Sequence, residues 1–284
     1  MQSFDEQLRL LTDNALNEDV GEGDHSTLSS IPPDAKGAAI LKVKEDGIIA
    51  GIDVATKIFA WYAPGSTFRP KIKDGEPMHK GDIAFEVEAD VHVILKLERL
   101  VLNIMQRMSG IATLTRKYVD LLQGYKTKVL DTRKTTPNFR LLEKEAVRIG
   151  GGFNHRMGLY DMIMLKDNHV DYAGGLEKAI TNAWNYVQKN KPDLKIEIET
   201  RNLDEVKRAL ATGKVDRIML DNFTPELLKE AIDLIAGKVE TEASGGINLE
   251  TVRDYAATGV DFVSVGALIH QAKSLDLSLK AVGR

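Results

Sequence analysis

Hydrophobic and polar residues alternate in two different ways along the chain, and the change falls near residue 115. Before it, helical spacing of apolar residues is mixed with short alternating runs that are typical of strands. The pattern predicts an acidic amphipathic helix over 1–20, a loop over 21–27, a strand over 38–46, a helix over 51–62, a turn-rich β segment over 73–89 and one long or two successive helices over 93–122.

After that point the chain keeps a strand–helix rhythm. Six apolar runs predict strands at 128–132, 162–167, 196–200, 217–221, 239–244 and 262–266, with helical patterns such as 203–213, 224–237 and 248–259 between them. The last four runs begin about 21–23 residues apart, the length of one strand–helix unit. Strands that alternate with helices pair in parallel through right-handed crossovers. The pattern therefore predicts an α/β fold with an open or incomplete TIM-like barrel.

A doubly wound sheet is the competing architecture, but no GxGxxG motif follows a first strand. The length of 284 residues suits one large domain or two unequal ones, and 43% hydrophobic with 28% charged residues is an ordinary globular composition.

The chain has no cysteine, which excludes a disulfide scaffold, a zinc–thiolate site, an iron–sulfur cluster and a thiol nucleophile. That composition fits a reducing compartment, and we expect a cytoplasmic protein. The first residues lack the basic and apolar regions of a signal peptide, and no uncharged apolar run of about 18 residues predicts a membrane span. A net charge of −4 argues against a general nucleic-acid binder.

Positive charge is concentrated in one stretch of this acidic chain. From Lys126 to His169 there are nine Lys or Arg against five Asp or Glu, a local balance of +4 that leaves −8 for the rest. Fixed positive charge around a cleft favours a small anionic substrate, although a helix surface laced with ion pairs would give the same composition.

In a parallel α/β barrel, catalytic groups lie at the carboxyl ends of the strands and in the loops just after them. Early predicted strands end in cations, middle strands in carboxylates and the last two in glycine turns. These end positions are Asp131, Arg133, Lys134, Lys166, Glu199, Asp221, Ser244, Gly245, Gly246 and Gly266.

The glycine turns 243–247 and 264–268 follow the last two strands. Backbone N–H groups in such turns, with the start of a following helix, can bind a phosphate; tight turns without a ligand are the alternative.

Glu199 and Asp221 end neighbouring strands, so they can hold Mg²⁺, bind ribose hydroxyls or stabilise positive charge on a sugar carbon. Glu197 points to the same face as Glu199, which predicts that at least one of the two is structural or ion-paired.

The cations point to a substrate with several carboxylates, since Arg binds carboxylate in a fork and Lys acts as a point charge. His155 is the best histidine candidate because Arg156 adjoins it. Lys166, alone at a strand end, can instead form a Schiff base as in class I aldolases.

Residues 131–169, DTRKTTPNFRLLEKEAVRIGGGFNHRMGLYDMIMLKDNH, resemble the long signature of quinolinate phosphoribosyltransferases, the carboxylating nicotinate-nucleotide pyrophosphorylases. The segments 18–27, 98–113, 196–200, 218–223 and 242–247 resemble the same family in the same order, so the resemblance covers nearly the whole chain.

The resemblance implies transfer of phosphoribose from 5-phosphoribosyl 1-diphosphate to quinolinate with Mg²⁺ as cofactor. Diphosphate and CO₂ leave, and the nicotinate mononucleotide formed serves NAD synthesis. It also implies an N-terminal α/β sandwich (1–115), a barrel domain (116–270), a C-terminal segment (271–284) that packs back on the sandwich, and a homodimer with active sites shared between chains.

The resemblance assigns roles to individual residues. It implies catalytic roles for Lys134, Lys166, Glu199 and Asp221, with magnesium near Glu199 and Asp221 and bound directly or indirectly. It implies quinolinate contacts from Arg99, Thr132, Arg133, Lys134, His155, Arg156 and Lys166, and contacts to ribose and phosphate groups from Glu199, Asp221, Ser244, Gly245, Gly246 and Gly266.

Three alternatives stay open on the sequence: a related phosphoribosyltransferase that uses another base, an aldolase-type barrel with a Schiff base at Lys166, and a non-catalytic barrel that binds ligands. We expect neither nucleic acid nor membrane as a partner.

Overall fold

The computed structural model describes residues 2–282. The chain forms two compact units: the first comprises the described part of Met1–Arg116, Thr135–Gly151 and Leu268–Arg284, and the second comprises Lys117–Lys134 and Gly152–Ala267.

The helices and strands alternate along most of the chain. The helices are α1 (Phe4–Val20), α2 (His25–Ser30), α3 (Ile52–Tyr62), α4 (Val91–Leu121), α5 (Arg140–Ile149), α6 (Asp167–Ala173), α7 (Leu176–Asn190), α8 (Leu203–Thr212), α9 (Pro225–Ile235), α10 (Val252–Ala257) and α11 (Ala267–His270). The strands are β1 (Lys36–Val43), β2 (Gly47–Ile48), β3 (Thr67–Pro70), β4 (Pro77–Met78), β5 (Ile83–Asp90), β6 (Lys128–Leu130), β7 (Ile163–Leu165), β8 (Ile196–Thr200), β9 (Arg217–Asp221), β10 (Glu240–Ser244), β11 (Phe262–Ser264) and β12 (Leu277–Val282).

The first unit contains an antiparallel sheet in the order β12-β1-β5-β3. Its core includes three aromatic rings: Phe68 lies 4.5 Å from Phe85 and 5.5 Å from Phe59, centroid to centroid. Phe59 comes from α3 and the other two from β3 and β5, so these rings join the helix to the sheet. The last strand, β12, pairs with β1 from Leu277 opposite Val43 to Val282 opposite Ala38.

The apolar spacing over 93–122 produces one helix, α4, of 31 residues. Its apolar stripe, which includes Leu97, Met105, Met108 and Ile111, is fully buried. The methionines fill the core, because their unbranched side chains adapt to irregular gaps.

One predicted loop is partly helical. The segment 21–27 was expected to be irregular, but α2 begins at His25. Asp24 explains the difference: its side chain accepts a hydrogen bond from Thr27 N at 3.1 Å, which caps the first turn.

The second unit contains the predicted parallel sheet, with all six predicted strands, in the order β6-β11-β10-β9-β8-β7. The first strand, β6, pairs with the last, β11, while β7 forms the other end of the order. Within the described residues the sheet therefore has two end strands, as an open or incomplete barrel requires. Because every pairing is parallel, the carboxyl ends of the strands lie at one edge.

Among residues 2–282, no helix combines the length and the apolar character needed to cross a membrane.

Candidate active site

Most of the predicted site residues lie at the carboxyl edge of the parallel sheet or in the loops just after it. In register, Ser244 lies opposite Asp221, Ile198 opposite Leu165 and Ser264 opposite Leu130. Lys166 directly follows Leu165, and Glu199 directly follows Ile198. The loop after β7 therefore starts beside β8, which carries Glu199, and the loop after β10 starts beside β9, which carries Asp221; the loops after β6 and β11 start at the same edge of the sheet.

Lys166 and Glu199 form an ion pair across two neighbouring strands, with Nζ 3.0 Å from Oε2. The lysine side chain is 46% exposed and the glutamate side chain 11% exposed, so the pair lies at the rim of the unit. An amine held against a carboxylate serves as a cation, whereas a Schiff-base lysine must be neutral to attack.

Asp221 ends β9 and is half-buried. Its Oδ2 accepts a hydrogen bond from Asn222 Nδ2 at 2.6 Å, and Asn222 N donates to Ser244 O at 2.8 Å. These bonds fix the start of the loop after β9 against the end of β10, so the carboxylate and Ser244 share one surface.

Asp131 organises the loop that carries His155 and Arg156. Its carboxylate is fully buried and accepts hydrogen bonds from His155 N (2.8 Å) and Asn154 Nδ2 (2.6 Å), and its own N–H donates to Phe153 O (3.1 Å). The end of β6 therefore holds residues 153–155 in place, and Arg156 follows immediately.

Arg133 and Arg156 lie within each other's electrostatic field. Burial and the charge of Arg133 both lower the pKa of Arg156. Arg156 is 9% exposed and donates from Nη1 to Met162 O at 3.2 Å. The Nε of Arg133 is buried and has no hydrogen-bond partner among the described residues. Two guanidiniums whose charges act on each other, one with a buried donor that has no partner among the described residues, can bind an anion.

His155 lies on a buried pair of carboxylates. Its Nε2 is 3.0 Å from Glu197 Oε2 and 3.3 Å from Glu242 Oε2, and both glutamates are fully buried. Arg217 Nη1 in turn lies 2.9 Å from Glu242 Oε2. Glu197 is thus an ion-paired residue of the interior, while Glu199, two positions later, reaches the edge.

Burial on its own lowers the pKa of His155, but the hydrogen bonds and charges of Glu197 and Glu242 outweigh it and raise the pKa to about 9. A 2.7 Å contact from Arg156 N to Nδ1 suits the neutral ring instead. The carboxylates determine the protonation state of His155, because a buried charge without compensation costs several kcal/mol, whereas one backbone hydrogen bond contributes about 1 kcal/mol. We therefore assign the imidazolium form.

The two glycine turns are followed by shorter helices than the predicted phosphate site assumed. Gly245 and Gly246 both have positive φ, at 102° and 64°. A Cβ on Gly245 would collide with the side chain of Asn222, so packing alone requires glycine there, whereas nothing lies within 4 Å of a Cβ on Gly246. The helix α11 after Gly266 has only four residues and α10 only six, so neither has a substantial dipole. The predicted phosphate site would therefore depend on the backbone N–H groups of the turns.

The remaining predicted residues lie on loops and on one helix. Thr132 accepts a hydrogen bond from Lys134 N at 3.1 Å, and Lys134 itself is exposed. Arg99 is an exposed residue of α4 in the first unit.

Sequence reasoning placed Asp131 at a strand end without assigning it a role, and it did not single out Arg217 or Glu242. The signal was present, since charged residues inside strands of a parallel sheet are unusual and need partners. Glu242 shares the strand face of Ser244, and Arg217 that of Asp221.

Family models match almost the entire chain. The N-terminal domain model of quinolinate phosphoribosyl transferase matches residues 24–109, and the C-terminal domain model matches residues 111–280.

Individual relatives agree with the models. Quinolinate phosphoribosyltransferase [decarboxylating] 1b of Nicotiana tabacum is 47% identical over 281 residues, covering 94% of this chain and 80% of the relative. The probable nicotinate-nucleotide pyrophosphorylase [carboxylating] of Bacillus subtilis is 41% identical over 273 residues, covering 96% and 93%. The crystal structure of NadC from Streptococcus pyogenes superposes with a TM-score of 0.91 at 40% identity and covers 100% of both chains. This chain therefore belongs to the quinolinate phosphoribosyltransferase family.

Proposed function

We propose that this protein joins quinolinate to 5-phosphoribosyl 1-diphosphate and releases diphosphate, CO₂ and nicotinate mononucleotide. The observation that carries the proposal is the pair Arg133 and Arg156. The positive charge of Arg133 acts on the guanidinium of Arg156, and the buried Nε of Arg133 has no hydrogen-bond partner among the described residues. A ring with two adjacent carboxylates supplies the negative charge and the acceptors that this arrangement lacks.

Transfer begins at the sugar. The bond between C1′ and the diphosphate oxygen breaks, the diphosphate keeps the electron pair, and the ring nitrogen of quinolinate bonds to C1′. Positive charge develops on the sugar as the bond breaks, and Glu199 and Asp221 lie at the strand ends where carboxylates can stabilise it. Lys166, held by Glu199, supplies a cation for quinolinate or for the departing diphosphate.

Decarboxylation follows from the charge of the alkylated ring. Once the nitrogen carries the sugar it is positive, and it can stabilise the electron pair left on C2 when the bond to the carboxylate breaks. CO₂ leaves, and a proton then replaces it at C2. Arg133, Arg156 and Lys134 hold the dianion in place while this occurs.

The residues present fit magnesium. Glu199 and Asp221 offer hard carboxylate oxygens at neighbouring strand ends, and each uses one oxygen toward Lys166 or Asn222. Mg²⁺ binds through one or two carboxylates together with substrate phosphates and waters. Magnesium held there would neutralise the charge of the diphosphate.

We infer that the phosphate groups bind at the turns that contain Ser244, Gly246 and Gly266. Support comes from the open space beside Gly246, where backbone N–H groups can approach an anion without a side chain between them.

We further infer a homodimer whose active sites each combine Arg99 of one copy with Lys134 of the other. Both side chains are exposed in the single chain, as residues that meet a substrate or a second copy must be.

The direct test incubates the purified protein with quinolinate, 5-phosphoribosyl 1-diphosphate and Mg²⁺, and measures CO₂ and nicotinate mononucleotide. We expect both products in equal amounts, and neither when one substrate is left out. A product from another base together with no CO₂ from quinolinate would favour a related phosphoribosyltransferase.

A further inference from the structure

Four charged side chains lie together inside the parallel sheet, below the edge that carries the proposed site. Glu197 comes from β8, Arg217 from β9, Glu242 from β10 and His155 from the loop after α5. Glu197 and Glu242 are fully buried, and the side chains of His155 and Arg217 are 6% and 10% exposed. Glu197, Arg217 and Glu242 have no role in the proposed transfer or decarboxylation steps. His155 has only its predicted contact with the substrate.

Stability alone does not explain why two carboxylates, rather than apolar residues, lie at this place. Burying a carboxylate costs several kcal/mol, and apolar residues of the same size often give an equally stable core. Their geometry is nevertheless specific, since both point an oxygen at the same nitrogen, His155 Nε2, at 3.0 and 3.3 Å. Arg217 then compensates the second negative charge at 2.9 Å from Glu242.

Residue 155 is consequently held at two points. The sheet interior holds its imidazolium through Glu197 and Glu242, and Asp131 at the end of β6 holds its backbone N–H at 2.8 Å. Arg156 is the next residue, and its guanidinium lies in the repulsive field of Arg133. Without a fixed attachment, that repulsion would move the two guanidiniums apart.

We propose that Glu197 and Glu242 are positioning residues for quinolinate: by holding His155 inside the sheet, they keep Arg156 beside Arg133 so that both guanidiniums meet the substrate carboxylates. This inference rests on the function proposed above and extends it to two residues that touch no substrate.

A bound divalent cation is the competing explanation of the cluster, because the three ligand atoms of His155, Glu197 and Glu242 lie within 4.8 Å of one another. Arg217 already brings positive charge to Glu242, which disfavours a second cation there. The proton on His155 balances the cluster without a metal.

The test compares Glu242→Gln with Glu240→Gln. Both glutamates lie on β10 with side chains on the same strand face, and both bind Arg217. Glu242 is buried with Oε2 3.3 Å from His155 Nε2, whereas the Glu240 side chain is 39% exposed. Glu242→Asp keeps the charge and serves as the conservative variant. For each protein we would measure quinolinate binding by calorimetry, KM for each substrate, the melting temperature and the metal content.

Glu242→Gln replaces a charge-assisted hydrogen bond with a neutral one, so we expect the Kd and KM for quinolinate to rise about tenfold. We expect the KM of Glu242→Gln for 5-phosphoribosyl 1-diphosphate to stay unchanged. Glu240→Gln should match the wild type, and Glu242→Asp should recover part of the quinolinate affinity. None of the proteins should contain stoichiometric metal.

Three results would overturn the inference. They are an unchanged quinolinate Kd in a folded Glu242→Gln protein, an equal rise in both KM values, and a stoichiometric metal that is lost in Glu242→Gln. Each leaves the proposed function intact as long as the wild type releases CO₂. A wild type that neither binds quinolinate nor releases CO₂ would overturn both.

Discussion

Lys166 Nζ lies 3.0 Å from Glu199 Oε2 and thereby joins the ends of two adjacent parallel strands. One residue is a predicted quinolinate ligand and the other a predicted partner of the sugar. If both predictions hold, their ion pair places the recognition groups of the two substrates side by side, so a charge that develops on one substrate would act on the group that holds the other.

Replacing Lys166 tests that placement. Lys166→Ala removes one charge-assisted contact, so we expect kcat/KM for quinolinate to fall roughly 10- to 150-fold, while the melting temperature changes little because the side chain is 46% exposed. Lys195→Ala is the control: Lys195 pairs with Glu240 near the other end of β8 and is 58% exposed, so its loss should leave kinetics unchanged.

The same residue separates the transferase from the aldolase hypothesis. We expect borohydride with substrate to leave Lys166 unmodified, as mass spectrometry of the digested protein would show. A substrate adduct on Lys166 would establish the Schiff-base mechanism in its place.

His155 should make stability depend on pH. Its pKa is raised to about 9 from the ordinary value of 6.5, so the folded state binds this proton more tightly than the unfolded state. The resulting stabilisation, about 3 kcal/mol, is complete below pH 6.5 and is lost as the pH rises to about 9.

Urea unfolding between pH 6 and 10 measures this dependence. His155→Gln should unfold more easily at neutral pH and lose much of the slope between pH 6.5 and 9, whereas His270→Gln, at an exposed position, should keep the wild-type slope. Identical slopes for the wild type and His155→Gln would show that His155 is neutral in the folded protein.

Glu143 is predicted to stabilise the first unit without taking part in catalysis. Its fully buried carboxylate accepts hydrogen bonds from Arg107 Nε at 3.0 Å, Arg107 Nη2 at 2.8 Å and Thr136 N at 2.8 Å. Glu143→Ala leaves Arg107 without its carboxylate and should lower the free energy of unfolding by about 3–5 kcal/mol.

Glu145→Ala is the matched control on the same helix, α5. Glu145 pairs with Arg148, whose side chain is 65% exposed, so this change should cost less than about 1 kcal/mol. Equal losses in the two variants would contradict the assigned role of Glu143.

Subunit exchange tests the shared site. Arg99→Ala and Lys134→Ala proteins should each be nearly inactive, and mixing them under exchange should restore about a quarter of wild-type activity. About half of randomly paired dimers are mixed, and each mixed dimer has one intact site of two. Mixed dimers that form, as mass spectrometry would detect, but stay inactive would place both residues in one site from one chain.

The sequence predicted the parallel sheet well because its strands are apolar, short and separated by helices of regular length. The neighbouring positions of Glu199 and Asp221 and of the two glycine turns followed from chain order alone. The pairing of β6 with β11, by contrast, joins residues more than a hundred positions apart, and no local pattern encodes it.

The buried network was harder to predict for a related reason. His155, Glu197 and Glu242 come from three separate segments, and only the sheet register brings their side chains to one point. Periodicity placed Glu197 on the face of Glu199, but it could not show that a histidine from a loop contacts carboxylates from two strands. The capping of α2 by Asp24 was a local signal, and it was missed.

The most direct test of the account compares quinolinate with nicotinate, which lacks the 2-carboxylate. If Arg133 and Arg156 together bind the two carboxylates, removing one carboxylate removes at least one charge-assisted contact, and kcat/KM for nicotinate should be roughly 10- to 150-fold lower than for quinolinate. Equal kcat/KM values for the two acids would contradict a site built for a dicarboxylate.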